Sequence, residues 1–298
     1  VRKGSGFPLG KTSALAFSLL ALLWVGLPTV AQQSASRRIA IELRREGTQE
    51  RAWLLMPSGA HTDGSVRVIV ALHGLGEARR GPVEGALGWL DDYALERAFG
   101  ALARGRVESR DVNGWASEPQ LRVMTRRLQS QPFRDVAVLM PYTPDLARET
   151  PGSEAIGRYA TWITDELLPA ARRAMPALSR DSRDWAIDGV SLGGMLALDI
   201  GLRHPEVFGS VGGIQPAVRS HVDAYGALAS ESTRCLRIAS SAQDPFLRAT
   251  RGLSRAWTRR HIRHELVEYQ GTHSYTFNRG PGSVELLRFH HACFATLR

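Results

Sequence analysis

Residues 185–202 decide the reading of this chain. They run Trp185-Ala186-Ile187-Asp188, then Gly189-Val190-Ser191-Leu192-Gly193, then Gly194-Met195-Leu196-Ala197-Leu198-Asp199-Ile200-Gly201-Leu202. The short, mostly apolar stretch predicts a strand, and the run after the pentapeptide predicts a helix. A G-x-S-x-G segment in that setting is a tight strand-to-helix turn that lifts one serine out of the backbone at the helix N-terminus. A side chain at either glycine would collide with the neighbouring strand or helix. About 0.2 such pentapeptides are expected by chance in a chain of this composition, so the flanks carry the reading.

Outward from this turn the chain alternates between strand and helix signals. Residues 38–44 alternate with period two and predict an early strand, with 50–56 as its partner across Glu46-Gly47-Thr48-Gln49. Residues 66–72 predict a buried strand that ends in His73-Gly74-Leu75-Gly76, and 136–140 another that ends in Pro141-Tyr142-Thr143-Pro144. Residues 156–174 predict a long amphipathic helix despite Pro169. Strands at 185–190, 210–214, 236–240 and 265–269 follow, with helices between them, and 283–297 predicts a closing helix. Such alternation implies an α/β fold with a mostly parallel sheet covered by helices on both faces. Reactive groups then belong in loops beyond the carboxyl ends of the strands. Residues 88–133 are too long for a plain connection. They are expected to form an inserted helical cap beside the site; the alternative is a helical insertion on the outer face.

Composition narrows the chemistry. Arg2, Lys3 and Lys11, an uncharged apolar run over 14–27, Pro28 and Thr29-Val30-Ala31 together read as a secretory signal peptide, residues 1–31. The run is short for a membrane span, so no stable insertion is expected after cleavage. The expected product is one exported domain, residues 32–298, periplasmic or extracellular. The formal net charge of +9 includes three positive charges from that leader. The remaining positive residues are scattered, which describes a solvated arginine-rich surface rather than a nucleic-acid footprint. Both lysines lie in the leader. The rest of the chain therefore has no Schiff-base lysine, Ser–Lys dyad or P-loop lysine. Two cysteines, Cys235 and Cys293, exclude a multi-cysteine zinc site, and no metal or cofactor is expected. The two either pair in an oxidising compartment or stand as buried thiols.

A serine hydroxyl needs a base within hydrogen-bond reach and a third group to orient that base. On an α/β-hydrolase sheet the order along the chain is Ser, acid, His. Downstream of Ser191, the strand at 236–240 exits through Ser241-Ala242-Gln243-Asp244-Pro245, which makes Asp244 the candidate acid. Asp before Pro is also a common helix start. Asp223 is the rival acid, in a segment that reads as a helix from about residue 220. The strand at 265–269 leads into Gln270-Gly271-Thr272-His273-Ser274, which makes His273 the candidate base. His204, His261, His264, His290 and His291 fit capping, surface or helical positions. Two backbone N–H groups are needed for a developing oxyanion. Leu192 offers one and Leu75 the other, with Gly74 as its rival, while His73 is expected to pack beneath and hold its loop. Tyr142, Trp89 and Trp115 either line a pocket or pack, and packing is the expectation.

His73-Gly74-Leu75-Gly76, Asp188 to Met195, His204-Pro205-Glu206-Val207-Phe208 and Gly271-Thr272-His273-Ser274 together resemble the bacterial "putative esterase" family. That family includes esterase D, enterochelin esterases, feruloyl and acetyl-xylan esterases and the antigen 85 acyltransferases. The run from Trp162 to Pro169 also resembles the family's helix before the serine-bearing strand. The resemblance spans residue 66 to the C-terminus outside 88–133. It implies the α/β-hydrolase fold, a Ser191–Asp244–His273 carboxylic ester hydrolase and a small-molecule or polymer-linked ester as substrate. The insertion departs from the compact members and leaves the substrate open. The same residues also fit an acyltransferase or a serine peptidase, and the fold also fits a secreted binding protein without catalysis.

Overall fold

The computed structural model describes residues 36–60, 63–219, 221–230, 232–233 and 235–297; the expected signal peptide, with Lys3 and Lys11, lies outside the described residues. Eight strands form one sheet in the order β1-β2-β4-β3-β5-β6-β7-β8. They are β1 (Ser36–Arg45), β2 (Thr48–Pro57), β3 (Arg67–Leu72), β4 (Val136–Pro141), β5 (Trp185–Gly189), β6 (Ser210–Ile214), β7 (Cys235–Gln243) and β8 (Glu265–Thr272). β2 pairs antiparallel with β1 and β4, and every other pairing is parallel. This is the α/β arrangement the alternation implied, and β1 and β2 form the expected hairpin.

Helices α1 (Leu75–Ala78), α2 (Pro82–Gly85), α3 (Leu95–Ala103) and α4 (Glu118–Ser130) connect β3 to β4. Helices α5 (Glu154–Trp162) and α6 (Leu168–Ala174) precede β5, and α7 (Leu192–Arg203) follows it. Helix α8 (Val222–Leu228) precedes β7 and α9 (Leu247–Arg259) precedes β8. Helices α10 (Tyr275–Phe277) and α11 (Ser283–Thr296) close the chain. The long helix expected over 156–174 is α5 and α6 joined by a wider π-type turn at Ile163–Leu167. The wider turn lets Pro169 sit at the start of α6, where its missing N–H costs little. Among the described residues no helix is long and apolar enough to cross a membrane.

Alternation along the strands divides the interior into two cores. Val68, Val70 and Leu72 of β3 face one core, and Ile69 and Ala71 face the other. The first core packs against α5, α6 and α7, including Trp162, Leu196 and Trp185. The second is built from Trp89, Phe99, Leu102, Met124 and Leu128, together with Leu286, Leu287 and Phe294 of α11. The stretch 88–133, expected as a cap, is therefore a layer of the sheet's own covering. Its buried apolar residues on α3 and α4 (Leu95, Phe99 and Leu102; Leu121, Met124 and Leu128) recur at helical spacing. Each fully buried Leu or Phe there contributes about 1.5–3 kcal/mol.

Cys235 at the start of β7 is disulfide-bonded to Cys293 in α11. The bond closes a loop of 58 residues. On the chain-entropy account it stabilises the fold by about 4 kcal/mol. This resolves the choice the sequence left open in favour of pairing.

Candidate active site

The turn after β5 is forced by backbone crowding. A Cβ on Gly193 would overlap the Leu72 carbonyl, and one on Gly189 would overlap the Gly193 backbone. With those two positions bare, α7 starts directly against β3 and β5. Ser191, between them, takes φ 57° and ψ −114°, a conformation L-residues rarely adopt. Three backbone bonds hold it there. Ser191 N–H donates to Ile214 O (2.9 Å), while its own carbonyl accepts from Met195 N–H (3.0 Å) and Ala217 N–H (3.0 Å).

The strand ends bring the three expected side chains together. Ser191 Oγ lies 3.1 Å from His273 Nε2, and His273 Nδ1 lies 3.0 Å from Asp244 Oδ1. Asp244 is fully buried at its side chain, and His273 is about one quarter exposed. Asp244 also accepts from Ser240 Oγ (2.5 Å) and from Phe246 N–H (3.0 Å). The second bond is the helix-start bond that an Asp-Pro pair implies, and it coexists with the contact to His273. Phe246 meets the His273 ring edge-on at 5.3 Å and fixes its plane. The rival Asp223 is an exposed residue in the first turn of α8.

Four of the other histidines are engaged elsewhere. His204 contacts Glu206, His264 bonds Ser254 and the Ile262 carbonyl, His290 bonds Ser210 and Asp188, and His291 bonds the Pro132 carbonyl. His73 sits under its own loop, as expected. Its Nε2 accepts from Thr143 N–H (2.8 Å), so Nδ1 carries the proton and donates to Gly74 O (3.0 Å). Burial lowers its pKa to about 4 and keeps the ring neutral.

The loop above His73 lies against the serine: a Cβ on Gly74 would stand 3.8 Å from Ser191 Cβ. Gly74 N–H is taken by the Tyr93 hydroxyl at 3.1 Å. Leu75 is the first residue of α1 and Leu192 the first of α7, positions whose N–H groups have no partner within the helix. Of the two rival positions, Gly74 has its N–H already engaged. The site also holds groups the sequence did not single out. Glu77 is buried and accepts from the hydroxyls of Tyr93 and Tyr275. An acid one residue past His-Gly-Leu-Gly was a visible signal for it, but nothing local pointed to Tyr93. Trp89 packs edge-on against Tyr93, Trp115 stacks on Phe277, and the Tyr142 hydroxyl bonds Ala78 O, so all three are packing residues as expected.

Residues 88–133 reach this region on two sides, through Tyr93 at the Gly74 loop and along the His273 loop. Trp115 O accepts from Gln270 N–H (3.0 Å), Asn113 Nδ2 donates to Thr276 O (2.7 Å), and Ser283 Oγ donates to Tyr93 O (2.8 Å). The stretch braces the His273 loop from behind.

Comparison with known proteins agrees with this geometry. Residues 137–245 match the family described as "Putative esterase". No curated protein matches the chain. Solved structures share its fold at low identity. A CE1 ferulic acid esterase from Anaeromyces mucronatus, in complex with ferulic acid, superposes with a TM-score of 0.59 at 16% identity, over 88% of this chain and 92% of that one. The S-formylglutathione hydrolase FrmB of Staphylococcus aureus gives 0.57 at 12% identity, over 86% and 99%. The enterobactin esterase of Shigella flexneri gives 0.57 at 17% identity, over 88% of this chain and 59% of that one. The matched family segment runs from β4 through the Ser191 turn to Asp244, and the fold around it is the one these solved esterases share.

Proposed function

We propose that the protein is an exported serine esterase that cleaves carboxylic esters through an acyl-enzyme on Ser191. The observation that carries this reading is the continuous chain Ser191 Oγ–His273 Nε2 (3.1 Å) and His273 Nδ1–Asp244 Oδ1 (3.0 Å). His273 takes the Ser191 proton as Oγ attacks the ester carbonyl carbon. The carbonyl oxygen gains negative charge and is met by Leu192 and Leu75 N–H. The C–O bond to the alcohol breaks, and His273 returns the proton to the leaving oxygen. Water, deprotonated by His273, then attacks the acyl carbon and frees Ser191. Asp244 holds the imidazole tautomer and balances the imidazolium charge.

Export rests on residues 1–31 as a signal peptide, and the Cys235–Cys293 bond supports an oxidising compartment. The neighbours that act on ferulic acid esters and enterobactin make small-molecule or polymer-linked esters the class to try first. Purified protein should hydrolyse p-nitrophenyl acetate, and Ser191→Ala should lower kcat by about 10⁴-fold or more with the melting temperature preserved. Full activity in that variant sinks the reading. A panel of acetyl, butyryl, feruloyl and long-chain esters then ranks acyl groups. Labelling of Ser191 by a fluorophosphonate without ester turnover would point to a peptidase or acyltransferase, and no labelling to a binding protein.

A further inference from the structure

We propose that Glu77 is a positioning residue that ties the loop carrying the Leu75 N–H to the loop carrying His273, through one tyrosine on each side. The proposal rests on the esterase reading above and extends it to a residue outside the Ser191–His273–Asp244 chain.

Three observations support it. Glu77 is 1% exposed, yet both its carboxylate oxygens are used. Oε2 accepts from the Tyr93 hydroxyl and Oε1 from the Tyr275 hydroxyl at 2.6 Å. Burial and the neighbouring carboxylate push Tyr93 well above the usual phenol range, so its hydroxyl stays protonated and able to donate. Second, the same Tyr93 oxygen accepts from Gly74 N–H at 3.1 Å. That bond sets the Gly74 peptide, and the next N–H along is Leu75. Third, Tyr275 lies two residues after His273, and its hydroxyl reaches Glu77 across Gly76. A Cβ on Gly76 would stand 2.6 Å from that oxygen. The last glycine of His-Gly-Leu-Gly is thus the opening through which the bridge passes. Arg80, 3.7 Å from Glu77 Oε1 and bonded to Asp92, supplies the nearby positive charge.

A carboxylate can accept from two hydroxyls at once; an amide in its place offers one acceptor oxygen and an NH₂ that only donates. Glu77→Gln therefore breaks one arm of the bridge while keeping the volume. Misplacing an oxyanion donor or a base by about 1 Å costs on the order of 10- to 100-fold in rate. With p-nitrophenyl acetate, Glu77→Gln should lose that much in kcat per site titrated by a fluorophosphonate, with KM within about threefold. Affinity for a trifluoromethyl ketone, which forms a tetrahedral oxyanion on the serine, should fall in the same proportion. Tyr275→Phe, at an exposed residue, should fold normally and lose about 3- to 10-fold in kcat. A purely structural role predicts fewer titratable sites with wild-type kcat in each, and that result overturns the proposal. Amide exchange separates it from the esterase reading. In Glu77→Gln, exchange over residues 74–76 and 271–275 should rise about tenfold whatever the substrate proves to be. Unchanged exchange there overturns the bridge even if esters are cleaved; faster exchange in a protein that cleaves no ester leaves the bridge standing and removes the esterase reading.

Discussion

Among the described residues two Ser–His–Asp chains occur, joined through opposite ring nitrogens: the serine meets Nε2 of His273 in one and Nδ1 of His290 in the other. In the first, Ser191, His273 and Asp244 meet at the carboxyl ends of β5, β8 and β7. In the second, His290 on α11 joins Ser210 Oγ (2.7 Å) to Asp188 Oδ2 (3.0 Å). Ser210, His290 and Asp188 are all fully buried, so no ligand reaches them. Ser210 lies in extended β6, whereas Ser191 stands out of its backbone at φ 57°. The acids differ as well. Asp188 is paired with the buried Arg237, which also approaches Glu285. Among the described residues no arginine forms an ion pair with Asp244, so its charge stays available to an imidazolium. Residue types and hydrogen bonds alone do not make a site. Access, a strained turn and an acid with no arginine partner among the described residues separate the two.

The sharpest way to break this comparison is at the acids. Asp244→Asn should reduce kcat by about 10⁴-fold at nearly unchanged stability, because the amide favours the wrong His273 tautomer. Asp223→Asn should leave kcat unchanged, and a comparable loss there would reassign the acid.

The next effect is acid lability. Burial lowers His73 and His291 to about 4 and also depresses His290. These rings are neutral in the fold, but an unfolded chain protonates them below about pH 6.5. The unfolded state therefore binds more protons between pH 6.5 and 4, and stability falls as pH drops through that window. His73 alone accounts for on the order of 3 kcal/mol. Denaturant melts at pH 7, 5.5 and 4 should show the decline. A flat profile would mean these histidines are hydrated in solution.

The smallest effect tests the inert chain directly. Ser210→Ala should leave kcat within a factor of two and cost about 1–3 kcal/mol, because it strips a buried partner from His290. A large loss of activity at full stability would show the two chains to be coupled.

How much of this was legible in the sequence follows from the range of the forces involved. The strand, turn and helix around Ser191 are specified within 18 residues, and the runs of β3 and β4 show their burial on both faces. His273 is legible as a histidine in a glycine loop after a strand. The choice of Asp244 over Asp223 depends on where α8 begins, a boundary that local pattern defines poorly. How residues 88–133 pack was not legible locally, because part of the cluster they join is supplied by α11 from the far end of the chain. Glu77 shows the same limit. Its sequence neighbours are visible, but Tyr93 and Tyr275 arrive from 16 and 198 residues away. The idle Ser210–His290–Asp188 chain could not be foreseen either, since its members come from β6, α11 and β5.

The disulfide sorts the working residues in a way its stabilising effect does not reveal. Asp244 and His273 both lie inside the ring closed by Cys235 and Cys293, and Ser191 lies outside it. A chain made from its N-terminus delivers Ser191 first and can close that ring only when α11 has emerged. On the proposed reading the serine is in place before the two residues that would activate it, and activity would report whether α11 has docked and the ring has closed.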